Sequence, residues 1–278
     1  IFSVSPVYRT TKSPNRAEVG DIDQDGFVDI VIAGDGHLVM HRQMADGTFA
    51  DAEVIGRGRH GAAVDDFNRD TVPDIITIEP NHKEKCYNGP VYGCFPEPDE
   101  KLSYYRNALG TPGQSFDVST ISATIDPVEI KAIDFDDDDW LDIAAVGHEG
   151  WMLIRQITTQ PISFEVLWRG EVSASFECCI EVADLNRDDR NDVIIGGGWV
   201  DSPNIIHVFL QSPSGSFDRK GYRLPRSSYG GFDSLVAADL NNDQLPDLVA
   251  GNGELFLFLQ ESEGVGEFSA PIQLATLG

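Results

Sequence analysis

Positive charge is what this sequence has least of. Its 278 residues hold 20 Lys plus Arg against 46 Asp plus Glu, a formal net charge of -26. So acidic a chain lacks the clustered cations that a nucleic-acid backbone requires, and it does not dock on an anionic membrane surface. No run approaches the ~18 apolar residues of a membrane span, which excludes insertion by a helix. No stretch keeps a 3.6-residue period over ten residues, so helices are not expected. Neither a G-x-S-x-G elbow nor a phosphate-binding glycine loop is present. No N-x-S/T triplet occurs, so N-glycosylation sets no constraint. The chain begins at Ile1 without Met and shows no basic-then-apolar leader, so a signal peptide, if there was one, is expected to be already gone. At 41% hydrophobic and 9% aromatic, the composition also excludes an acidic disordered chain.

What is present is the acid, and it is repeated. Five segments, VGDIDQDGFVDIVIAG, VDDFNRDTVPDIITIE, AIDFDDDDWLDIAAVG, VADLNRDDRNDVIIGG and AADLNNDQLPDLVAGN, share the pattern D-x-[D/N]-x-D-x-x-x-D. The oxygen-bearing positions 1, 3, 5 and 9 are Asp21, Asp23, Asp25, Asp29; Asp66, Asn68, Asp70, Asp74; and Asp134, Asp136, Asp138, Asp142. The fourth and fifth sets are Asp184, Asn186, Asp188, Asp192 and Asp239, Asn241, Asp243, Asp247. Together with the position-7 carbonyls of Phe27, Val72, Trp140, Arg190 and Leu245, each loop offers the oxygen set of a hard cation of Ca²⁺ size. Mg²⁺ demands a stricter octahedron, and zinc would want the His and Cys that these loops lack. The first half resembles an EF-hand loop, but the closing residue is Asp at position 9 and a strand follows. Without a counter-ion, three or four carboxylates in nine residues repel one another. About five Ca²⁺ are expected, which would bring the formal charge from -26 to -16.

A second marker recurs in phase: a Gly/Ser-rich turn, then Phe, then alternating residues. It surrounds Phe49, Phe116, Phe164, Phe217 and Phe268, with an N-terminal copy at Phe2, at separations of 47, 67, 48, 53 and 51 residues. Short Val/Ile/Phe-rich runs bounded by Gly, Asp and Asn fill the space between. Each unit reads strand, acidic loop, strand, Gly turn, strand, polar turn, Phe strand. Four short antiparallel strands repeated at this period predict an all-β chain, a β-propeller of five four-stranded blades in a single domain over 1–278.

In loop, Phe strand and period the units resemble the FG-GAP/VCBS repeats of the integrin α-subunit type of propeller. That resemblance implies Ca²⁺ on one face and an extracellular, adhesive or ligand-binding role. Such propellers have seven blades, so the spare Phe2 strand leaves alternatives open. The chain closes as five blades, belongs to a six- or seven-bladed propeller, or offers the strand to another copy.

The long second unit carries an insertion at 80–101, where a Cys86–Cys94 disulfide is expected. The adjacent Cys178 and Cys179 form a vicinal disulfide or are two buried thiols. Both pairs favour an oxidising compartment, as do weak Ca²⁺ loops that fill only where the ion is abundant. The strand connections opposite the acidic loops carry Arg57, Arg59, His60, His148, Trp151, Trp199, Arg226 and Tyr229. Aromatics with Arg suit carbohydrate and carboxylate. The reading is therefore a secreted or cell-surface calcium-binding module for carbohydrate or an extracellular protein, with no assigned catalytic residue. Two alternatives are a polysaccharide lyase using His60 or His148 with Tyr229, and a structural subunit of an extracellular assembly.

Overall fold

The computed structural model describes residues 9–11, 13–79, 84–87, 93–96, 101–107, 116–121, 125, 127–147, 149–159, 161–171, 177–197, 205–223, 234–251, 254–261 and 266–276. The chain is all-β, with five four-stranded antiparallel sheets, the blades of a five-bladed β-propeller. Blade 1 comprises β1 (Pro14–Gly20), β2 (Asp29–Gly34), β3 (His37–His41) and β4 (Glu53–Gly56). Blade 2 begins with β5 (Ala62–Asp65) and β6 (Asp74–Glu79). The insertion then forms a separate hairpin of β7 (Glu84–Tyr87) and β8 (Gly93–Pro96), and the blade resumes with β9 (Lys101–Arg106) and β10 (Asp117–Ile121).

Blade 3 holds β11 (Pro127–Ile133), β12 (Asp142–Gly147), β13 (Gly150–Thr159) and β14 (Ile162–Gly170). Blade 4 holds β15 (Glu177–Ala183), β16 (Asp192–Gly197), β17 (Ile205–Gln211) and β18 (Phe217–Arg223). Blade 5 holds β19 (Ser234–Ala238), β20 (Asp247–Gly251), β21 (Glu254–Phe258) and β22 (Ile272–Thr276). The N-terminal Phe2 copy lies outside the described residues.

Burial explains the strand composition. The second strands β6, β12 and β16 are buried along their whole length, and their sequences DIITIE, DIAAVG and DVIIGG are near-continuous apolar runs. A strand covered on both faces needs no polar alternation. The outer strand β4 is half-buried or exposed throughout. Contacts divide the chain into two compact units: residues 1–132 with 156–164, and 133–155 with 165–278. In the first, Val31, Ala33, Leu38 and Met40 of blade 1 pack with Ala62, Ile75 and Tyr105 of blade 2. In the second, Ile194, Ile206 and Val208 of blade 4 meet Leu235, Leu248, Phe256 and Phe258 of blade 5. Each buried Val, Leu, Ile, Met or Phe side chain among them contributes roughly 1.5–3 kcal/mol.

The antiparallel order sets which groups share an end of a blade. First-to-second and third-to-fourth connections emerge at one end, second-to-third and blade-to-blade connections at the other. The five acidic loops are all first-to-second connections. Arg57, Arg59 and His60, on the β4–β5 connection, belong to the opposite end.

Trp151 corrects the sequence reading. It is the second residue of β13 and fully buried, with its ring centroid 4.8 Å from Phe209 and 5.2 Å from Phe217. Gly170 lies flat against its indole; a Cβ there would stand 2.0 Å from Nε1. Trp151 is a core aromatic with no surface to offer a ligand.

Candidate functional site

The five loops adopt one conformation despite different sequences. Positions 4 and 6 are left-handed in every loop: Gln24 and Gly26, Arg69 and Thr71, Asp137 and Asp139, Arg187 and Asp189, Asn242 and Gln244. Nine of these ten are not glycine, and each costs on the order of 1 kcal/mol in that region. Such a backbone persists only where its surroundings over-determine it.

Side-chain carboxylates supply part of that determination. The position-1 carboxylate accepts the position-6 N–H, at 3.0 Å in Asp21–Gly26, 2.7 Å in Asp66–Thr71, 2.9 Å in Asp134–Asp139, 3.0 Å in Asp184–Asp189 and 2.9 Å in Asp239–Gln244. The position-5 carboxylate accepts the N–H of the position-7 residue, Phe27, Val72, Trp140, Arg190 or Leu245, at 2.8–3.1 Å. Neighbouring loops are also linked. Gln24 donates to the Thr71 carbonyl at 3.0 Å, Asn191 to Asp134 at 3.0 Å, and Arg187 to Asp243 and Gln244 at 3.0 and 3.1 Å.

Position 9 is different in kind. Asp29, Asp74, Asp142, Asp192 and Asp247 are all at most 1% exposed. One oxygen accepts the position-2 N–H from Ile22 (3.1 Å), Phe135 (3.2 Å), Leu185 (2.9 Å) or Leu240 (3.1 Å). The other accepts the N–H of the amide residue that closes the third strand: Gln43 at 2.9 Å, Asn107 at 2.7 Å, Gln211 at 2.8 Å and Gln260 at 2.9 Å. Burial pushes Asp74 and Asp192 up to about 6 against these lowering hydrogen bonds, and the position-1 and position-5 carboxylates push the same way. Burial also raises Asp29 and Asp134, with Asp23 and Asp138 respectively adding repulsion.

The closing amides are functional residues that sequence reading missed. Asn107 donates its side-chain N–H to the Ile22 carbonyl at 2.8 Å, Gln156 donates to Phe67 at 2.8 Å, and Gln260 donates to Leu185. Each bond runs from one blade to position 2 of the preceding blade's acidic loop. The available signal was the Phe marker: Gln43, Gln211 and Gln260 pair across from Phe49, Phe217 and Phe268.

An all-oxygen donor set that converges on one point can receive a hard divalent cation. Oxygens of Asp21, Asp23 and Asp29 lie within 4.8 Å of one another, as do those of Asp134, Asp136 and Asp138. Asp21 Oδ1 is buried and has no hydrogen-bond partner, which fits an oxygen shaped for an ion. Arginines temper the charge: Arg42 stands 3.7 Å from Asp23, Arg106 3.9 Å from Asp70 and Arg155 3.5 Å from Asp136, while Arg190 pairs with Asp188.

At the opposite end Arg57 and Arg59 are held by the backbone. The Arg57 N–H donates to the Tyr105 hydroxyl at 2.9 Å, and the Arg59 N–H to the Ile78 carbonyl at 2.9 Å. Both side chains and His60 are partly exposed. His148, Trp199, Arg226 and Tyr229 lie outside the described residues, so the base-and-acid pair of the lyase alternative is not described as a pair.

Residues 21–77 and 184–250 match the FG-GAP-like repeat family. No curated protein sequence matches the chain. Among solved structures, one similar chain is an Agrocybe aegerita lectin described as recognising non-reducing terminal N-acetylglucosamine. It is 15% identical, covers 94% of this chain and 80% of that chain, and has a TM-score of 0.42. Another is BBS1N in complex with ARL6DN, soaked with lead, at 14% identity, 98% and 86% coverage and a TM-score of 0.46.

Proposed function

We propose that this β-propeller, in which residues 21–77 and 184–250 match the FG-GAP-like repeat family, is an extracellular binding module whose blades are pinned by Ca²⁺ at the five acidic loops. The observation that carries this reading is the recurrence of one costly loop conformation around one buried carboxylate. At neutral pH, carboxylates such as Asp74 and Asp192, raised to about 6, are buried ionised beside like charges. Each costs roughly 3 kcal/mol against an ordinary Asp. Burial is the main source of that cost and the neighbouring carboxylates add to it; a divalent ion at the centre of the loop offsets both and binds the folded chain alone, so it stabilises by linkage.

The residues that would hold the ion are the carboxylates and amide oxygens at positions 1, 3, 5 and 9, with the position-7 carbonyl. When bound, the ion supplies charge neutralisation and cross-links the two limbs of the loop. The ligand-binding part of the proposal rests on the far end, where Arg57, Arg59 and His60 are offered to carbohydrate or to a protein partner. A Cys86–Cys94 disulfide would complete the extracellular reading. Cys86 and Cys94 are direct partners in the β7–β8 register, and residues so opposed have Cα atoms ~4.5–5.5 Å apart, within disulfide reach.

Calorimetric titration of chelated protein with Ca²⁺, followed by glycan-array and pull-down screens in Ca²⁺ and in EDTA, tests both halves. About five ions per chain and calcium-dependent capture are expected. Absence of calcium heat would remove the pins, and absence of any ligand in either condition would remove the binding role.

A further inference from the structure

Beside the second acidic loop the first unit holds a cavity of about 350 Å³. It opens at the acidic-loop end of the blades, away from Arg57, Arg59 and His60. Among the described residues its one charged lining group is Arg106, at the end of β9, half-exposed, with Asp70 at long range, 3.9 Å away. Ser119 and Thr159 bring hydroxyls to the wall, and Pro161 and Ile162 bring an apolar strip. Tyr104 and Asn68 also line the cavity and are locked in place, since they donate to Asp74 Oδ2 at 2.6 and 2.8 Å.

We propose that this cavity is a binding site for a small hydroxylated carboxylate, of the size of a single hexuronate. A guanidinium is a planar donor fork matched to a carboxylate. Two hydroxyl-bearing residues suit a hydroxylated body, and the apolar strip suits the C–H face of a ring. The volume lies within the range of small-molecule sites. Inorganic phosphate would leave the apolar strip and most of the space unused, and an uncharged sugar would leave Arg106 unpaired with its ligand. The overall charge of -26 repels anions at long range, but that field is screened beyond ~8 Å at physiological salt, so the local cation decides. One corollary rests on the calcium reading: an ion that takes Asp70 releases Arg106 from it. Ca²⁺ and the acid would then tighten each other's binding by the same factor.

The test is titration of the full chain with D-galacturonate and with D-galactose, in Ca²⁺ and in EDTA, followed by calorimetry and by amide chemical shifts at Ser119 and Thr159. Galacturonate is expected to bind in at least one buffer, at least tenfold more tightly than galactose. Arg106→Met and Ser119→Trp, both at exposed positions, are expected to weaken it at least tenfold while leaving the melting temperature within a few degrees. No galacturonate binding in either buffer, equal binding of galactose, or indifference to both variants would overturn the proposal. Equal galacturonate affinity in the two buffers, with no calcium heat, removes the calcium reading and leaves the acid site standing.

Discussion

The first and second acidic loops share a nine-residue spacing and a backbone, yet they use position 3 in opposite ways. In the first, Asp23 turns toward Asp21 and Asp29, and the three carboxylates converge within 4.8 Å. In the second, Asn68 is 4% exposed and gives its N–H to Asp74 and to the Tyr104 hydroxyl, leaving Oδ1 buried without a partner. The cause lies on the third strand. Tyr104 pairs with Ile76, two residues beyond Asp74; the matching pair in blade 1 is Val31 with Met40, and a thioether cannot donate. An aspartate at position 3 cannot donate either, so it repels the buried carboxylate, whereas an asparagine feeds it. Loops of one spacing thus differ in how much they need a cation.

The largest effect expected from this contrast is on stability without metal. Asp74→Ala strands the Tyr104 hydroxyl, the Asn68 amide and the Asn107 N–H, at about 3 kcal/mol; Asp29→Ala strands two backbone N–H groups, at about 2 kcal/mol. Urea denaturation in EDTA measures both, and equal losses would erase the distinction. The second effect concerns pH. The folded Asp74 takes up its proton near pH 6 and an unfolded Asp near 3.8, so protonation stabilises the metal-free fold. That contribution is complete below about pH 3.8 and is lost as pH rises through about 6, up to roughly 3 kcal/mol. The stability difference between wild type and Asp74→Asn is therefore expected to change in that window, and a pH-independent difference would contradict the burial argument.

Exchanging the loops comes next. Asn68→Asp combined with Tyr104→Phe gives the second loop the first loop's donors and is expected to tighten its Ca²⁺ binding about tenfold, ~1.4 kcal/mol. Asp23→Asn is expected to weaken the first loop by a similar factor. Site-resolved titration by NMR reads both, and unchanged affinities would show that position 3 is not the distinguishing residue. The smallest effect is that of Arg42→Gln. It removes a half-exposed ion pair 3.7 Å from Asp23 and is expected to raise calcium affinity by no more than threefold, as surface pairs are weak.

Much of this was legible in the sequence because it is local. A carboxylate at every second loop position and an apolar run after the ninth are read along the chain, and they mark each loop and the strand that follows it. What depended on cross-strand register was not legible. Tyr104 reaches Asp74 only once β6 and β9 are paired across the insertion. The closing amides Gln43, Asn107, Gln156, Gln211 and Gln260 follow their position-9 aspartates at distances varying from 13 to 33 residues, so no fixed spacing reveals them. Trp151 was misjudged for a related reason. It follows a glycine turn, which suggests an exposed rim, but β13 already begins at Gly150 and carries the indole into the core.

A calcium-anomalous diffraction map of the full chain, grown in millimolar Ca²⁺, tests the reading of the loops most directly. The expected result is a peak inside each of the five turns, bounded by the aspartates of positions 1, 5 and 9. Ordered loops with no anomalous density, in a protein whose melting temperature is the same in Ca²⁺ and in EDTA, would contradict it.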